Sequence, residues 1–448
     1  QNFPTFRMQG WLRFSDAIAK PMLPMKEISL APGVTLRTVQ TQKFKTSILG
    51  VTFLEPLSEK TAALNALLPW VLQRGTQTHP DMESLSAATD DLYGGTISPV
   101  LRKKGEVQCV GFLASFLDDA FVPAGTYILE PAAQLLGEMV LSPAGDGVSF
   151  LPDYVSSEQE NLIDRIRSQV NDKLQYSLSR LQEQMCRDEA YGLGKMGTEE
   201  QAKSVTGQKL FARYQELLET APIYLYYCGS ADPNRVEAAF RVAFSGLPKT
   251  ERRPVPQTAV RNTPEGPVRR FQDQMKVNQG KLILGFRTGG SFLSQQKVAQ
   301  AMLFNAVYGG TTNAKLFLNV REALSLCYFA NSALVQNKGV LHVYSGVEFA
   351  NFQRAEDEIL AQLKACQNGQ IDQGELEVAR RSMISNLRIT QDSQGRLEEY
   401  WLNRFVTGTS FAPEELEAAL AQVTLDQVIQ IAQGVQLESV YTPRNKEG

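Results

Sequence analysis

Apolar and polar residues alternate along VTLRTVQT (residues 34–41) and SILGVTFLE (47–55), and both runs are rich in β-branched side chains, so both predict strands. The spacing then lengthens. Residues 58–75, SEKTAALNALLPWVLQRG, carry apolar positions at helical spacing, with Ser58 placed to cap the start and Gly75 to end it. A second helix is predicted from Pro80 to Tyr93-Gly94-Gly95, and a strand over 105–116 (GEVQCVGFLASF). A long amphipathic stretch covers 151–187, and APIYLYYCGSAD (221–232) reads as a buried strand.

The pattern breaks at 248–270, PKTERRPVPQTAVRNTPEGPVRR, which has five prolines, many charges and no apolar period. Such a composition makes a surface linker. Afterwards the pattern restarts: a strand over 280–288, an apolar helix to Val307, Gly309-Gly310, and a helical run NAKLFLNVREAL over 313–324. The strands CYFANSALV and VLHVYSGVE follow, then long helices from Phe352 to the end. The first half shows the same order of strand, apolar helix, glycine, helix and strand, which predicts an internal repeat. Single crossover helices do not alternate regularly with strands, so a doubly wound sheet is disfavoured. The expected fold is α/β (α+β): two similar domains, each a mixed sheet with helices packed on one face. The expected divisions are a tail over 1–26, a first domain over 27–248, a linker over 249–268 and a second domain over 269–448.

Composition narrows the function. The 448 residues exceed what one hydrophobic core organises, in keeping with two domains. Basic and acidic residues number 45 and 48, a net charge of −3 that argues against a nucleic-acid surface. No apolar run approaches the ~20 residues that span a bilayer. The first residues, QNFPTFRMQGWLRFSDAIAKPM, lack an apolar stretch followed by a small-residue cleavage site, so no signal peptide is expected, and Met25-Lys26 reads as a natural start. Five dispersed cysteines without a CxxC pair suit a reducing cytoplasm.

Familiar catalytic motifs are missing. A helical zinc site needs two histidines four residues apart and a carboxylate beside them. The two histidines here, His79 and His342, fall in different halves. His79, next to Pro80, reads as an exposed loop residue, and His342 as strand packing or surface. The nucleophile motif GxSxG is absent, GGTTNAKLF has the wrong spacing for a phosphate loop, and GLGKMG (192–197) fits a dinucleotide motif by letters alone, with no strand before it.

From about residue 28 to the C-terminus the chain resembles the M16 metallopeptidases, the pitrilysin, insulinase and mitochondrial processing peptidase family. Active members carry HxxEH on a helix ending in a Lys/Arg-Gly-Thr-like turn, and LLPWVLQRGT ends in Arg74-Gly75-Thr76. The resemblance puts the two histidine positions at Ala66 and Trp70 and the general base at Pro69. The third ligand, a glutamate of a downstream helix, falls at Arg165 in SEQENLIDRIR. None of the four can serve. Alanine has no donor atom, the indole N–H donates and cannot ligate, proline has no base, and arginine carries positive charge. Pro69 also removes the helix bond to the Asn65 carbonyl, predicting a kink. On this reading the helix is kept for its core-facing residues Leu64, Leu67, Leu68, Val71 and Leu72.

In the second half, YGGTTNAKLFLNVREALSLCYFANS resembles the family segment whose arginine and tyrosine hold the substrate peptide, at Arg321 and Tyr328. Arginine is a forked donor for a carbonyl and the tyrosine hydroxyl donates to a developing oxyanion. Residue types alone favour an Arg321 paired with a carboxylate and a Tyr328 packed at a strand start, and it is the resemblance that favours a site. Leu316, Phe317, Val320 and Leu324 form the expected buried stripe, with Arg321 at its edge.

The resemblance implies the zinc-less subunit of a heterodimeric M16 peptidase, with zinc held only by an HxxEH-bearing partner. Within the family it points to the inactive-looking member of a bacterial pair, a group named for its association with aminopentanol modification of elongation factor P. The alternative is a non-hydrolytic peptide-binding or scaffold protein, possibly homodimeric. An edge strand near 96–101 is a further place where such a protein could take a peptide.

Overall fold

The alternating runs of the first half pair into one sheet and those of the second half into another. A computed structural model of the protein describes residues 23–275 and 279–445. The first sheet contains β1 (Met25–Ala31), β2 (Val34–Gln40), β3 (Thr46–Pro56), β4 (Thr96–Lys104), β5 (Val107–Leu117) and β6 (Ile223–Gly229), in the order β1-β2-β6-β3-β5-β4. The second contains β7 (Arg269–Met275), β8 (Gly280–Arg287), β9 (Cys327–Val335), β10 (Val340–Val347) and β11 (Gln436–Asn445), in the order β7-β11-β8-β10-β9. Without β1, the two orders are the same. In each sheet one pair is parallel, β2 with β6 and β7 with β11, and the remaining pairs are antiparallel.

The expected tail is shorter than 1–26, because Met25 and Lys26 pair with Val39 and Thr38 in β1; residues 1–22 lie outside the described residues. Helices do not run to the end either. The last element is β11, inserted between β7 and β8. Its sequence, QLESVYTPRN, is polar and contains a proline, so its strand character comes from its neighbours.

Each sheet packs its own helices on one face. In the first half these include α1 (Ala62–Leu72), α2 (Met82–Asp91), α3 (Leu129–Leu141), α4 (Pro152–Ser168), α6 (Glu199–Lys203), α7 (Gly207–Thr220) and α8 (Pro233–Ala243). Leu49, Val51 and Phe53 of β3 and Ile223, Leu225 and Tyr227 of β6 point into that core. The intervening residues Ile48, Leu54, Tyr224, Tyr226 and Cys228 point the other way and are buried too. What covers them is α12 (Gln394–Val406), through Leu397, Trp401, Leu402 and Val406. The exchange is mutual. The amphipathic stretch 151–187 is broken by a 3-10 turn at Gln169–Asn171, and Asp172 caps α5 (Lys173–Met185). This helix lies on the second sheet, with Leu181 packed on Ile283 and Tyr441. A Cβ on Gly285 would sit 2.5 Å from the Met185 sulfur, so glycine is what lets α5 approach β8.

The own helices of the second half are α9 (Gln295–Asn305), α10 (Phe352–Gln367), α11 (Gln373–Thr390), α13 (Pro413–Gln422) and α14 (Leu425–Gln433). A buried charge network ties the halves together. Lys338 Nζ, fully buried, lies 2.5 Å from Glu106 Oε1 and 2.7 Å from Glu189 Oε2. It also donates to the Ala259 carbonyl at 2.6 Å. Arg287 spans Glu189, at 2.6 Å, and Glu438. The segment between the halves is pinned along its first part: Arg252 is buried and donates to the Ala221 carbonyl at 3.1 Å, and the Ala259 N–H donates to Glu106 at 3.0 Å.

Candidate functional site

α1 begins at Ala62, with Thr61 at its N-cap; Ser58 lies one turn earlier, its carbonyl accepting from the Ala62 N–H at 2.9 Å. The helix runs through Pro69 to Leu72 without a break. Leu67, Leu68, Val71 and Leu72 are buried and Leu64 partly so. Burial extends to Ala62, Ala63, Asn65, Ala66 and Pro69, so α1 is enclosed on most sides. Asn65 is tolerated inside because its amide is used. Its Nδ2 donates to Gln108 Oε1 at 2.8 Å, and its Oδ1 accepts from Arg213 Nε at 2.8 Å. Arg213 is itself ion-paired with buried Glu55.

Of the four positions that the resemblance aligns with a zinc site, the structure brings two into direct contact. The Arg165 guanidinium, from α4, lies 4.1 Å from the centroid of the Trp70 ring. Burial lowers the pKa of Arg165, with Glu158 opposing. Next to this stack, Arg74 donates through Nε to Glu158 at 2.7 Å and through Nη2 to Ser157 at 2.7 Å. Zinc does not fit here. Ala66 is fully buried and offers no donor, and Trp70 and Arg165 present an N–H and a cation. Among the described residues no group of three or more His, Cys, Asp or Glu side chains could hold a metal ion.

His79 is more enclosed than an exposed loop residue, whereas His342 packs within its strand as expected. His79 is half-buried, with Nδ1 3.1 Å from Glu138 Oε1, and its N–H donates to Thr76 Oγ1 at 2.9 Å. His342 is buried in β10 with Nε2 lacking a hydrogen-bond partner. GLGKMG forms the turn before α6, and Gly197, at φ 69°, packs against Ala63.

Arg321 and Tyr328 come together in one open cavity of about 410 Å³. Its walls are Arg321, Glu322, Ser325, Leu326, Cys327, Tyr328, Glu348 and Asn351, all from the second half. Three backbone irregularities build it. Leu316–Ala323 is π-helical, with the Leu324 N–H donating to the Asn319 carbonyl five residues back at 3.2 Å. Ser325 holds φ at 51°, left-handed and uncommon for a residue with a side chain. In β9, Gly346 pairs with Phe329 but Val347 pairs with Cys327, leaving Tyr328 as the extra residue of a β-bulge.

These features decide exposure. Leu316 and Val320 are buried as expected, but Leu324 is 45% exposed. A π-turn is wider than the α-helical turn of about 3.6 residues, so the stripe runs off its face. The Arg321 side chain is 42% exposed, its Nε 3.3 Å from Glu322 Oε1 and its guanidinium 4.6 Å from the Phe317 ring centroid. Tyr328 is 59% exposed, so it does not pack into the strand start. Glu348 and Asn351 escaped sequence reading because they lie beyond the end of β10, where no motif or period marks them.

Comparison with known proteins agrees with this architecture. Residues 204–383 match the family described as Peptidase M16 inactive domain. The chain is 33% identical over 417 residues to "Probable inactive metalloprotease YmfF" of Bacillus subtilis (strain 168), covering 93% of this chain and 97% of that one. The chain belongs to the M16 peptidase family, as a non-catalytic member. Among solved structures, a conserved protein from Enterococcus faecalis V583 superposes with a TM-score of 0.85 at 23% identity, covering 95% of this chain and 99% of that one. The peptidase M16 inactive domain from Pseudomonas fluorescens gives 0.74 at 15% identity, covering 94% and 98%. At these identities the likeness speaks for the fold alone. Among the described residues no helix is long and apolar enough to cross a membrane.

Proposed function

We propose that this chain is the zinc-less subunit of a two-chain M16-type peptidase, lending Arg321 and Tyr328 to a peptide chamber shared with a subunit that carries HxxEH. The observation that carries the proposal is the shared cavity. Arg321 and Tyr328 line one open space, and both are turned outward by a π-helix and a bulge rather than spent in the core. Such irregular backbone is concentrated at functional sites. Zinc would then be held by the partner, since this chain offers no ligand at Ala66, Trp70 or Arg165. We also infer a cytoplasmic location from the five cysteines, all of them free and buried.

The test is co-expression with an HxxEH-bearing M16 chain and a peptide-cleavage assay on the purified pair. Arg321→Ala and Tyr328→Phe are each expected to leave assembly intact and to slow turnover by about 10²–10³-fold, as loss of one oxyanion donor does. Two variants that assemble and cleave at the unmutated rate would refute the shared-chamber role, and a non-hydrolytic scaffold would then fit better.

A further inference from the structure

We infer that a second open cavity, of about 460 Å³ and set between the two halves, binds a small polyanion, a molecule carrying two or more phosphate or carboxylate groups. This site is separate from the Arg321–Tyr328 cavity and does not depend on the peptide chamber. Three elements form it: the turn from β4 to β5 at Gly105, the turn from β9 to β10 at Asn337, and the side of α12 that carries Arg396, Glu399 and Asn403. The first belongs to one half and the other two to the second, and cavities of this size at domain boundaries commonly take small ligands. Gly105 holds φ at 61°, and a Cβ there would lie 2.7 Å from Asn337 Nδ2, so glycine is what lets the two turns meet.

The charges around this cavity do not cancel. Among the described residues Glu399 is the one carboxylate in its wall, and it pairs with Lys104 and, at 3.2 Å, with Arg102. Three further cations have no carboxylate partner among the described residues. Lys103 donates instead to the Tyr191 and Leu193 carbonyls, at 2.6 and 2.8 Å, and burial lowers its pKa to about 8. Arg396 is exposed, and its guanidinium has no hydrogen-bond partner. Arg404 is buried next to Tyr400, 5.5 Å from that ring's centroid, with Nε and Nη1 both unpartnered. The side-chain amides of Asn337 and Asn403 also have no partner among the described residues. A buried cation without an anion is costly, and an anion brought near it is stabilised. A ligand with two or more negative charges meets Arg396 and Lys104, accepts hydrogen bonds from the two amides, and lies in the positive field of Lys103 and Arg404. Such a molecule touches both halves and holds them together.

The full chain is titrated by calorimetry with pyrophosphate and with citrate, at constant ionic strength set by sodium chloride, with sorbitol as the uncharged control. Saturable binding of one anion per chain is expected, and none of sorbitol. Binding of pyrophosphate alone identifies a phosphorylated ligand, of citrate alone a carboxylated one, and of both a site selective for charge; each supports the inference. Arg396→Gln should weaken binding roughly three- to fivefold, as loss of one solvated ion pair does. Glu399→Gln removes the negative charge from the wall and should strengthen binding by a similar factor. Damage to the fold does not tighten binding, so the opposite signs separate a site from a structural effect. The inference is overturned if neither anion binds at millimolar concentration, if sorbitol binds equally well, or if both variants bind as the unmutated chain does.

Discussion

The Arg165 guanidinium stacks 4.1 Å from the centroid of the Trp70 ring, joining α4 to α1. A delocalised cation on an indole face makes a cation–π contact of about 0.5–2 kcal/mol. One guanidinium nitrogen, Nη2, is buried without a hydrogen-bond partner, which offsets part of that gain.

Arg165→Ala and Trp70→Leu, separately and together, should therefore give a coupling energy of about 0.5–1 kcal/mol in urea unfolding, the lower range because Arg165 is only partly buried. Strict additivity would mean that the stack contributes nothing to stability.

If Ala66, Trp70 and Arg165 share the ancestral ligand positions, then Ala66→His, Trp70→His and Arg165→Glu in one chain should create a three-ligand site. Metal analysis should find about one zinc per folded variant chain and none in the unmutated protein. A folded triple variant that takes up no zinc would show that Arg165 is out of register. Overpacking at the fully buried Ala66 is expected to cost about 1–3 kcal/mol, so folding must be checked by circular dichroism.

Lys338 stands between Glu106 and Glu189 with no solvent exposure of its side chain. Lys338→Met leaves Glu106 without its cation, while Glu189 keeps Arg287, and should destabilise the chain by about 3 kcal/mol in urea unfolding. A loss below about 1 kcal/mol would show that the halves are held together by the exchanged helices alone.

His342 predicts sensitivity to mild acid. Burial lowers its pKa from 6.5 to about 4, helped by Lys103 and Arg287. The unfolded chain takes up this proton below 6.5 while the folded chain resists it. Stability is therefore fully present above pH 6.5 and falls as pH drops towards 4, by up to about 1.4 kcal/mol per unit. Glu189 extends the loss at lower pH. Burial raises its pKa, but hydrogen bonds from Arg287 and Lys338 outweigh this and bring it from 4.5 to about 2. Its contribution disappears between those values. His342→Leu should flatten the change in urea midpoint between pH 7.5 and pH 5. An unchanged slope would mean that His342 is not the group responsible.

Limited proteolysis tests the proposed division into 27–248 and 269–448. The first part of the intervening segment is pinned through Arg252 and Ala259, so cleavage is expected first within 263–268, around Glu265-Gly266. Because α5 and α12 each lie on the other half's sheet, the nicked fragments should co-elute in size exclusion. Early cuts in α1, or separation of the fragments, would refute this organisation.

The sequence by itself determined the alternating strands β2 and β3, the buried strand β6, the repeat of two similar halves, and the chemical poverty of Ala66, Pro69, Trp70 and Arg165. These follow from residue type and local period, which a single chain displays. Tertiary structure alone decided which sheet each amphipathic helix covers. The stripes of α5 and α12 record that one face is buried, but the buried partner lies across the molecule in either case. β11 became a strand because β7 and β8 leave a slot between them, against its own polar composition. Leu324 left the core because the π-helix changed the turn that the period assumed. Tyr328 turned outward because one extra residue was inserted into β9, and Glu348 joined it only because antiparallel pairing brings the end of β10 beside the start of β9. Period and residue type report local geometry, whereas a site assembled across strand ends is set by pairing register, which is a property of the folded chain.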